Sequence, residues 1–267
     1  MKNRVTIDGI EIDFPARPGV LTRLAAVLET EEPDFHEVSQ LVNDDLGLAA
    51  EVVRSANSPY FGVSGRIASV QQAINFLGLS HVYSLVTGVM LRRVFPGNDH
   101  LMDELWDNST RRAAIMARLA RNTAVPVDRA YTVGLFQDCG VAVLAALMPN
   151  FRRTWKQVCW LPDAPAVERR EHMLDHPTIS ASLVEQWGLS DEIAQAVRRH
   201  HDIDRMDTIP ERIRSLVALS VIANFVLARA LSQNASLWKI PFSQASTVLK
   251  LPLALAQTWA EQVSTLL

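Results

Sequence analysis

Apolar residues recur about every 3.6 positions along nearly the whole chain, which is the spacing of amphipathic helices. Short turn signals such as "NSPYFG" and "PGNDH" break this pattern into segments. Hardly any stretch shows the sustained apolar–polar alternation of a half-buried strand. The exception is the start, "MKNRVTIDGIEIDF", whose alternation predicts a short extended arm over residues 1–13. We therefore predict an all-α, multi-helical protein.

Capping chemistry places several helix starts. Asp34 stands three residues before Glu37, and Ser69 stands three residues before Gln72, which is the spacing of a capping box. In "WGLSDEIAQAV", Ser190 predicts the start of another helix. The apolar run "YTVGLFQDCGVAVLAALM" predicts one continuous helix.

The cluster of Pro, Gly and Asn at residues 96–100 separates short helices from longer ones. We predict two lobes: an N-terminal helical lobe over residues 1–98, which includes the arm, and a second helical lobe over residues 99–267. The most apolar segment, "SLVALSVIANFVLARAL", reaches Arg229 after too few uncharged residues to span a bilayer. It predicts a buried core helix.

Composition and charge exclude several classes of protein. Hydrophobic residues make up 48% of the chain and charged residues 21%, which is typical of a folded globular protein. A formal net charge of −3 gives no overall attraction to nucleic acid or to membrane, so neither is an expected partner. Cys139 and Cys159 lack disulfide-framework or metal-motif spacing, and the start lacks a secretory signal. We therefore expect a cytoplasmic protein.

Four stretches, taken in order along the chain, point beyond the fold class: "VVRSANSPYFG", "SVQQAINFLGL", "GLFQDCG" and "DHPTISASLVEQWGLSDEIAQAVRRHHD". Together they resemble the HDOD family, a branch of the HD phosphohydrolase superfamily that is associated with bacterial signalling. The resemblance covers roughly residues 15 to 230. It implies an HD-domain-like helical core preceded by an N-terminal helical lobe, which ordinary HD hydrolases lack.

The same resemblance implies where a catalytic HD site would lie. Such a site has an early histidine, a His-Asp pair that bridges metals, one or two later histidines and a final aspartate. These ligands hold divalent ions, which activate a water and neutralise phosphoryl charge. The matching positions here are Asn108, Gln137, Asp138, His176, one of His200 and His201, and Asn224. Three ligand positions are therefore neutral carboxamides.

Carboxamides bring no charge, so Asp138, His176 and His200 alone would hold a transition metal weakly. We expect no catalytic residue, and no cofactor beyond, at most, one weakly held divalent ion. If the site is active, Asp138 is the candidate catalytic residue. Related cyclic-dinucleotide hydrolases also carry a "GYP" signature and a lysine after the His-Asp pair, where this chain has Val141. His176 has a second interpretation, as the residue that opens a helix before Pro177.

Asp138 needs a partner, because an unpaired buried carboxylate would cost several kcal/mol. We predict that His200, His201 or a nearby arginine donates to it. A hydrogen-bonded polar cluster would then replace the metal.

These features predict a non-catalytic signal-transduction module of the HDOD type, whose helical faces bind a regulatory protein partner. Two alternatives stay open. One is a metal-dependent phosphohydrolase or phosphodiesterase with a reduced site. The other is a sensor that binds a small nucleotide second messenger without hydrolysing it.

Overall fold

A computed structural model describes residues 2–58, 65–96, 99–233, 235–252 and 258. Contacts between Cα atoms divide the chain into two compact units. Ala16–Pro96 forms the N-terminal unit, and Met1–Pro15 with Gly97–Leu267 forms the C-terminal unit. Helices dominate both, and the strands of the described residues form a single hairpin. The all-α prediction is confirmed.

The N-terminal unit contains short helices: α1 (Gly19–Leu28), α2 (Phe35–Asn43), α3 (Leu46–Ala56), α4 (Val70–Leu77) and α5 (Leu79–Val94). Two of the predicted caps are confirmed. Asp34 accepts hydrogen bonds from the backbone N–H groups of the first turn of α2. Ser69 accepts one from the N–H of Gln72 in α4.

Asn57 organises the turn that follows α3. Its side-chain amide donates to Val53 O at 2.8 Å and to Ile67 O at 2.7 Å, and its Oδ1 accepts from Ile67 N at 2.9 Å. The side chain therefore ties α3 to the chain that re-enters at Ile67. The predicted turn residues 59–64 lie outside the described residues.

The C-terminal unit holds the longer helices, and in chain order its elements are β1 (Lys2–Ile7), β2 (Ile10–Pro15), α6 (His100–Ala120), α7 (Val127–Phe136), α8 (Gly140–Leu147), α9 (Phe151–Val158), α10 (Ala164–His172), α11 (His176–Gln186), α12 (Asp191–Arg198), α13 (Glu211–Ala230) and α14 (Lys239–Val248). Helix α13 packs against α6, α7, α12 and α14 and is buried over most of its length. It is the predicted core helix. The cap predicted at Ser190 is also confirmed, since its hydroxyl accepts from Ile193 N at the start of α12.

The extended arm is an antiparallel hairpin. Asp8 and Gly9 both have positive φ, 48° and 83°, as a two-residue turn matched to strand twist requires. Ile12 and Phe14 are fully buried in the C-terminal unit. The predicted first lobe, over residues 1–98, includes this arm, because alternation indicates a strand but not the unit in which that strand packs.

The segment "GLFQDCG" does not continue as one helix, in contrast to the prediction. Helix α7 ends at Phe136, and Gly140 begins α8. The N–H of Gly140 donates to Ser180 Oγ of α11 at 2.8 Å, while the carbonyl of Phe136 accepts from Cys139 N at 3.0 Å. A side chain of α11 thus takes the N–H that a continuous helix would use, and Asp138 lies in the resulting tight turn.

Two apolar segments are long enough to cross a membrane, Val127–Leu147 and Glu211–Ala230. Within their most apolar windows, however, 89% and 78% of the residues are buried inside the chain. Length and composition alone are weak evidence for a membrane span, because core helices pass the same test.

Gly140→Ala should destabilise the C-terminal unit. The added Cβ would lie 2.5 Å from His176 O and 2.7 Å from Ser180 N, so the backbone of α8 or α11 must move. We expect the free energy of unfolding to fall by about 3 kcal/mol in a denaturant titration. Gly19→Ala is the matched control, because its Cβ would meet no atom within 4 Å. Equal effects of the two substitutions would contradict the close approach of α8 to α11.

Candidate functional site

The positions singled out in the sequence converge inside the C-terminal unit. Asn108 lies on α6, Gln137 and Asp138 lie in the α7–α8 turn, His176 opens α11, His200 and His201 follow α12, and Asn224 lies on α13. We call this cluster the polar centre. All but Asn108 and His201 are buried. It has two halves, one built around carboxamides and one around imidazoles, and Asp138 stands between them.

Hydrogen bonds connect the side chains of the carboxamide half. Asn224 Oδ1 accepts from Arg112 Nε at 2.6 Å and from Gln137 Nε2 at 3.3 Å. Gln137 Oε1 accepts in turn from the hydroxyl of Ser220, at 2.6 Å. Asn108 lies one helical turn before Arg112 on α6, and both line the same cavity.

Arg112 supplies the positive charge of this half. Its Nη1 lies 2.8 Å from Asp138 Oδ2, and both side chains are about 6% exposed. The pairing predicted for Asp138 is thus confirmed, with an arginine as its charged partner. Burial alone would raise the pKa of Asp138, but the guanidinium of Arg112 and the imidazoles of His176 and His200 outweigh it and hold that pKa well below its ordinary value.

The imidazole half faces the other oxygen of Asp138. Oδ1 lies 3.4 Å from His200 Nε2 and 3.6 Å from His176 Nε2, and the two Nε2 atoms are 3.3 Å apart. The ring of His201 packs on that of His200, with centroids 4.3 Å apart. The indole of Trp155 contacts the ring of His176 edge-on at 5.1 Å.

The Nδ1 atom of each imidazole faces a hydrogen-bond acceptor. His176 Nδ1 lies 2.8 Å from Glu168 Oε2, and Glu168 also accepts from the backbone N–H of His176. The Nδ1 atoms of His200 and His201 lie 2.6 Å from the carbonyl oxygens of Val197 and Pro162, respectively. A carbonyl oxygen can only accept, so each of these two rings carries a proton on Nδ1.

Burial and neighbouring charges separate the three imidazoles electrostatically. Burial lowers the pKa of His176, but the Glu168 carboxylate outweighs it, and the pKa is raised overall. Burial is also the largest influence on the pKa values of His200 and His201, and the charge of His176 lowers both pKa values further. The pKa of His200 is lowered, and that of His201 lies well below its ordinary value. His176 is therefore the imidazole that takes a proton most readily.

The two halves differ in how they fit a metal ion. In the carboxamide half, the guanidinium of Arg112 is hydrogen-bonded to Asn224 and ion-paired with Asp138, and the neutral amides offer no charge to a competing cation. The imidazole half offers nitrogen atoms and a carboxylate oxygen, which zinc, iron and related ions bind. His176, His200 and His201 present ligand atoms within 4.8 Å of one another. The residues therefore fit one ion and not two.

A cavity of about 230 Å³ opens beside the polar centre. Its lining includes Asn108, Arg112, Asp138, Trp155, Lys156 and Trp160. Beside the ion pair of Arg112 and Asp138, the cavity is lined by the Lys156 ammonium, the Glu104 carboxylate and two indoles.

The sequence predictions do not name three residues of the polar centre, Arg112, Glu168 and Ser220. For Asp138 they name only a nearby arginine as a possible partner. Arg112 is one of several arginines on α6, and nothing in the local spacing distinguishes it. Glu168 reaches His176 across the turn between α10 and α11. Ser220 stands one helical turn before Asn224 on α13, which is the one local signal that could have indicated it.

Comparison with solved structures identifies proteins that share the helical fold described above. A crystal structure from Shewanella amazonensis SB2B, described as a candidate phosphohydrolase, has a TM-score of 0.72 and 20% identity, and covers 95% of this chain and 93% of that chain. An HDOD domain protein of unknown function from Geobacter sulfurreducens has a TM-score of 0.69 and 21% identity, over 95% of this chain and 93% of that chain. Identity this low shows the fold alone.

An uncharacterized protein of Treponema pallidum is 24% identical over 80% of this chain. The chain spans only 42% of that relative's length. The family model of the HDOD domain matches residues 14–203, which is most of the chain. This protein therefore belongs to the HDOD family.

Proposed function

We propose that this protein is a non-catalytic regulatory module of bacterial signal transduction, which acts in the cytoplasm by binding a protein partner. One observation carries the proposal: Arg112 is ion-paired with Asp138 and hydrogen-bonded to Asn224. A guanidinium can neutralise the carboxylate. It cannot bind a water molecule as a metal ion does and convert it into a nucleophile at neutral pH.

The carboxamide half thus lacks the chemistry of a two-metal hydrolase. Phosphoester hydrolysis by two ions requires one to activate water and both to balance charge on the phosphoryl oxygens. Gln137 and Asn224 are engaged with Ser220 and Arg112, so their oxygens already serve as hydrogen-bond acceptors. The oxygens of both amides are therefore already hydrogen-bonded, which suits a structural role in a binding module.

A nucleotide sensor is a second candidate, favoured by the cavity. Lys156 and Arg112 line it beside the indoles of Trp155 and Trp160. Cations attract phosphate oxygens, and indoles stack with bases. A reduced-site phosphohydrolase is the remaining candidate, favoured by the three ligand atoms of the imidazole half.

The purified protein should show no phosphodiesterase or phosphatase turnover with added manganese or ferrous iron. The rate should equal that of the Asp138→Ala variant, because the chemistry of a metal-activated water is missing. A generic chromogenic phosphodiester and a cyclic dinucleotide serve as substrates. Turnover that depends on Asp138 would replace the regulatory proposal with the reduced-site hydrolase.

Calorimetric titration with cyclic dinucleotides and guanosine tetraphosphate tests the sensor candidate. If it is correct, Lys156→Gln should weaken binding about tenfold, through loss of a charge-assisted contact worth about 1.5 kcal/mol. Arg153→Gln is the matched control, because Arg153 lies on the same helix but does not line this cavity. Absence of heat with every nucleotide, in folded protein, would remove the sensor from consideration.

Arg112→Met should be strongly destabilising, because it leaves the buried Asp138 carboxylate without its cation. We expect the free energy of unfolding to fall by about 3–5 kcal/mol. Arg93→Met, which removes a surface pair with Asp45, should cost less than about 1 kcal/mol. Denaturant titrations of both variants supply the comparison. Similar losses would show that the Arg112 pair contributes no more than a surface contact.

A further inference from the structure

The size of the cavity beside the polar centre limits what it can bind. Its volume is about 230 Å³. A dry cavity of about 150 Å³ in a protein interior can bind a benzene molecule, whereas drug-sized ligands occupy pockets of about 300–1,000 Å³. The cavity therefore suits one aromatic ring that carries a short polar group.

Part of the lining is apolar and aromatic. Leu101 and Leu105 lie one turn apart on α6, and both are buried. Trp155 of α9 and Trp160, which follows that helix, add two indoles. The carbonyl of Trp160 accepts from Trp238 Nε1 at 3.0 Å, which anchors this part of the chain. Indoles pack well against other rings, so this part of the lining favours an aromatic ligand.

The polar part of the lining carries one cation and one anion that are available to a ligand. Lys156 has no ion pair or hydrogen bond among the described residues. His100 Nδ1 lies 3.7 Å from Glu104 Oε2, which is too far for a hydrogen bond and leaves the Glu104 carboxylate available. Arg112 and Asp138 neutralise each other within their ion pair. The charges that remain are one positive and one negative.

Two side chains of α6 add hydrogen-bond donors to the lining. Arg112 Nη1 is ion-paired with Asp138, but it is buried and donates no hydrogen bond among the described residues. A buried N–H group without an acceptor is costly, so an acceptor atom of a ligand would lower that cost. The Asn108 amide lines the cavity one turn before Arg112. A ligand carboxylate can accept from guanidinium, ammonium and amide groups.

We propose that this cavity binds a small zwitterion with an aromatic group, of the class of free aromatic amino acids. The ligand carboxylate binds Lys156 and Arg112, and the ligand ammonium donates to Glu104. The ligand ring packs against the indoles of Trp155 and Trp160. The two charges of such a ligand match those of the lining. A nucleotide with several phosphates instead brings negative charges that meet one available cation and the Glu104 carboxylate.

This inference goes beyond the proposed function and does not depend on it. A regulatory module that binds a protein partner can carry this site whether or not the ligand alters the partner's affinity. Ligand binding and phosphodiesterase turnover are measured separately, so a failure of one proposal is distinguishable from a failure of the other.

Calorimetric titration of the full chain with L-phenylalanine and L-tryptophan tests the site. Two further ligands each lack one charge: phenethylamine has no carboxylate, and 3-phenylpropionate has no ammonium. Each should bind about tenfold more weakly than L-phenylalanine, because one charge-assisted contact is lost. Equal affinity for all three phenyl ligands would overturn the proposal. Folded protein that binds neither amino acid would also overturn it, and binding of a nucleotide by that protein would favour the nucleotide sensor.

Two variants assign the contacts, because each removes the charge that one truncated ligand does not use. Glu104→Gln should weaken L-phenylalanine binding about tenfold without weakening that of 3-phenylpropionate. Lys156→Gln should weaken L-phenylalanine binding similarly without weakening that of phenethylamine. Both side chains are exposed, so both variants should fold. Arg153→Gln is the matched control, because Arg153 lies on the same helix as Lys156 but outside the lining. Equal weakening of all three phenyl ligands by either variant would contradict the proposed charge contacts.

Discussion

The ion pair between Arg112 and Asp138 is the interaction on which the rest of the polar centre depends. Removing two charges from water costs several kcal/mol per ion, and only good geometry with further hydrogen bonds offsets that cost. Arg112 Nη1 and Asp138 Oδ2 are 2.8 Å apart, and Asn224 accepts a hydrogen bond from Arg112 Nε on the other side. One pair therefore fixes α6, α13 and the α7–α8 turn relative to one another by chemistry as well as by packing.

The position of Asp138 is in turn a consequence of the interrupted helix. In a continuous helix, Gly140 N would bond the carbonyl of Phe136, and the helical period would set the direction of the Asp138 side chain. Ser180 takes that N–H instead. The absence of a side chain at Gly140 lets α8 approach the start of α11, where His176 begins. The same close contact that breaks the helix thus brings the carboxylate to the histidines.

Features of the fold that depend on residues close together in the sequence could be predicted. Helical periodicity gave the fold class, and the caps at Asp34, Ser69 and Ser190 depend on residues two to three positions apart. Contacts between residues that are distant in sequence could not be predicted. Arg112 meets residues 26 and 112 positions further along the chain, and the hairpin packs in the unit that begins after Pro96. Only the family resemblance brought Gln137 and Asn224 into one site, because no local pattern connects them.

Charge balance links the two halves of the polar centre. Asp138 and Glu168 are buried carboxylates, whereas Arg112 is the one permanent cation bonded to either in the described residues. One negative charge remains, and the low dielectric of the interior makes it costly. A proton on His176 can cancel it, since the Glu168 carboxylate outweighs burial and raises the pKa of that imidazole. The amides of the carboxamide half are neutral, so the balancing positive charge must come from the imidazole half.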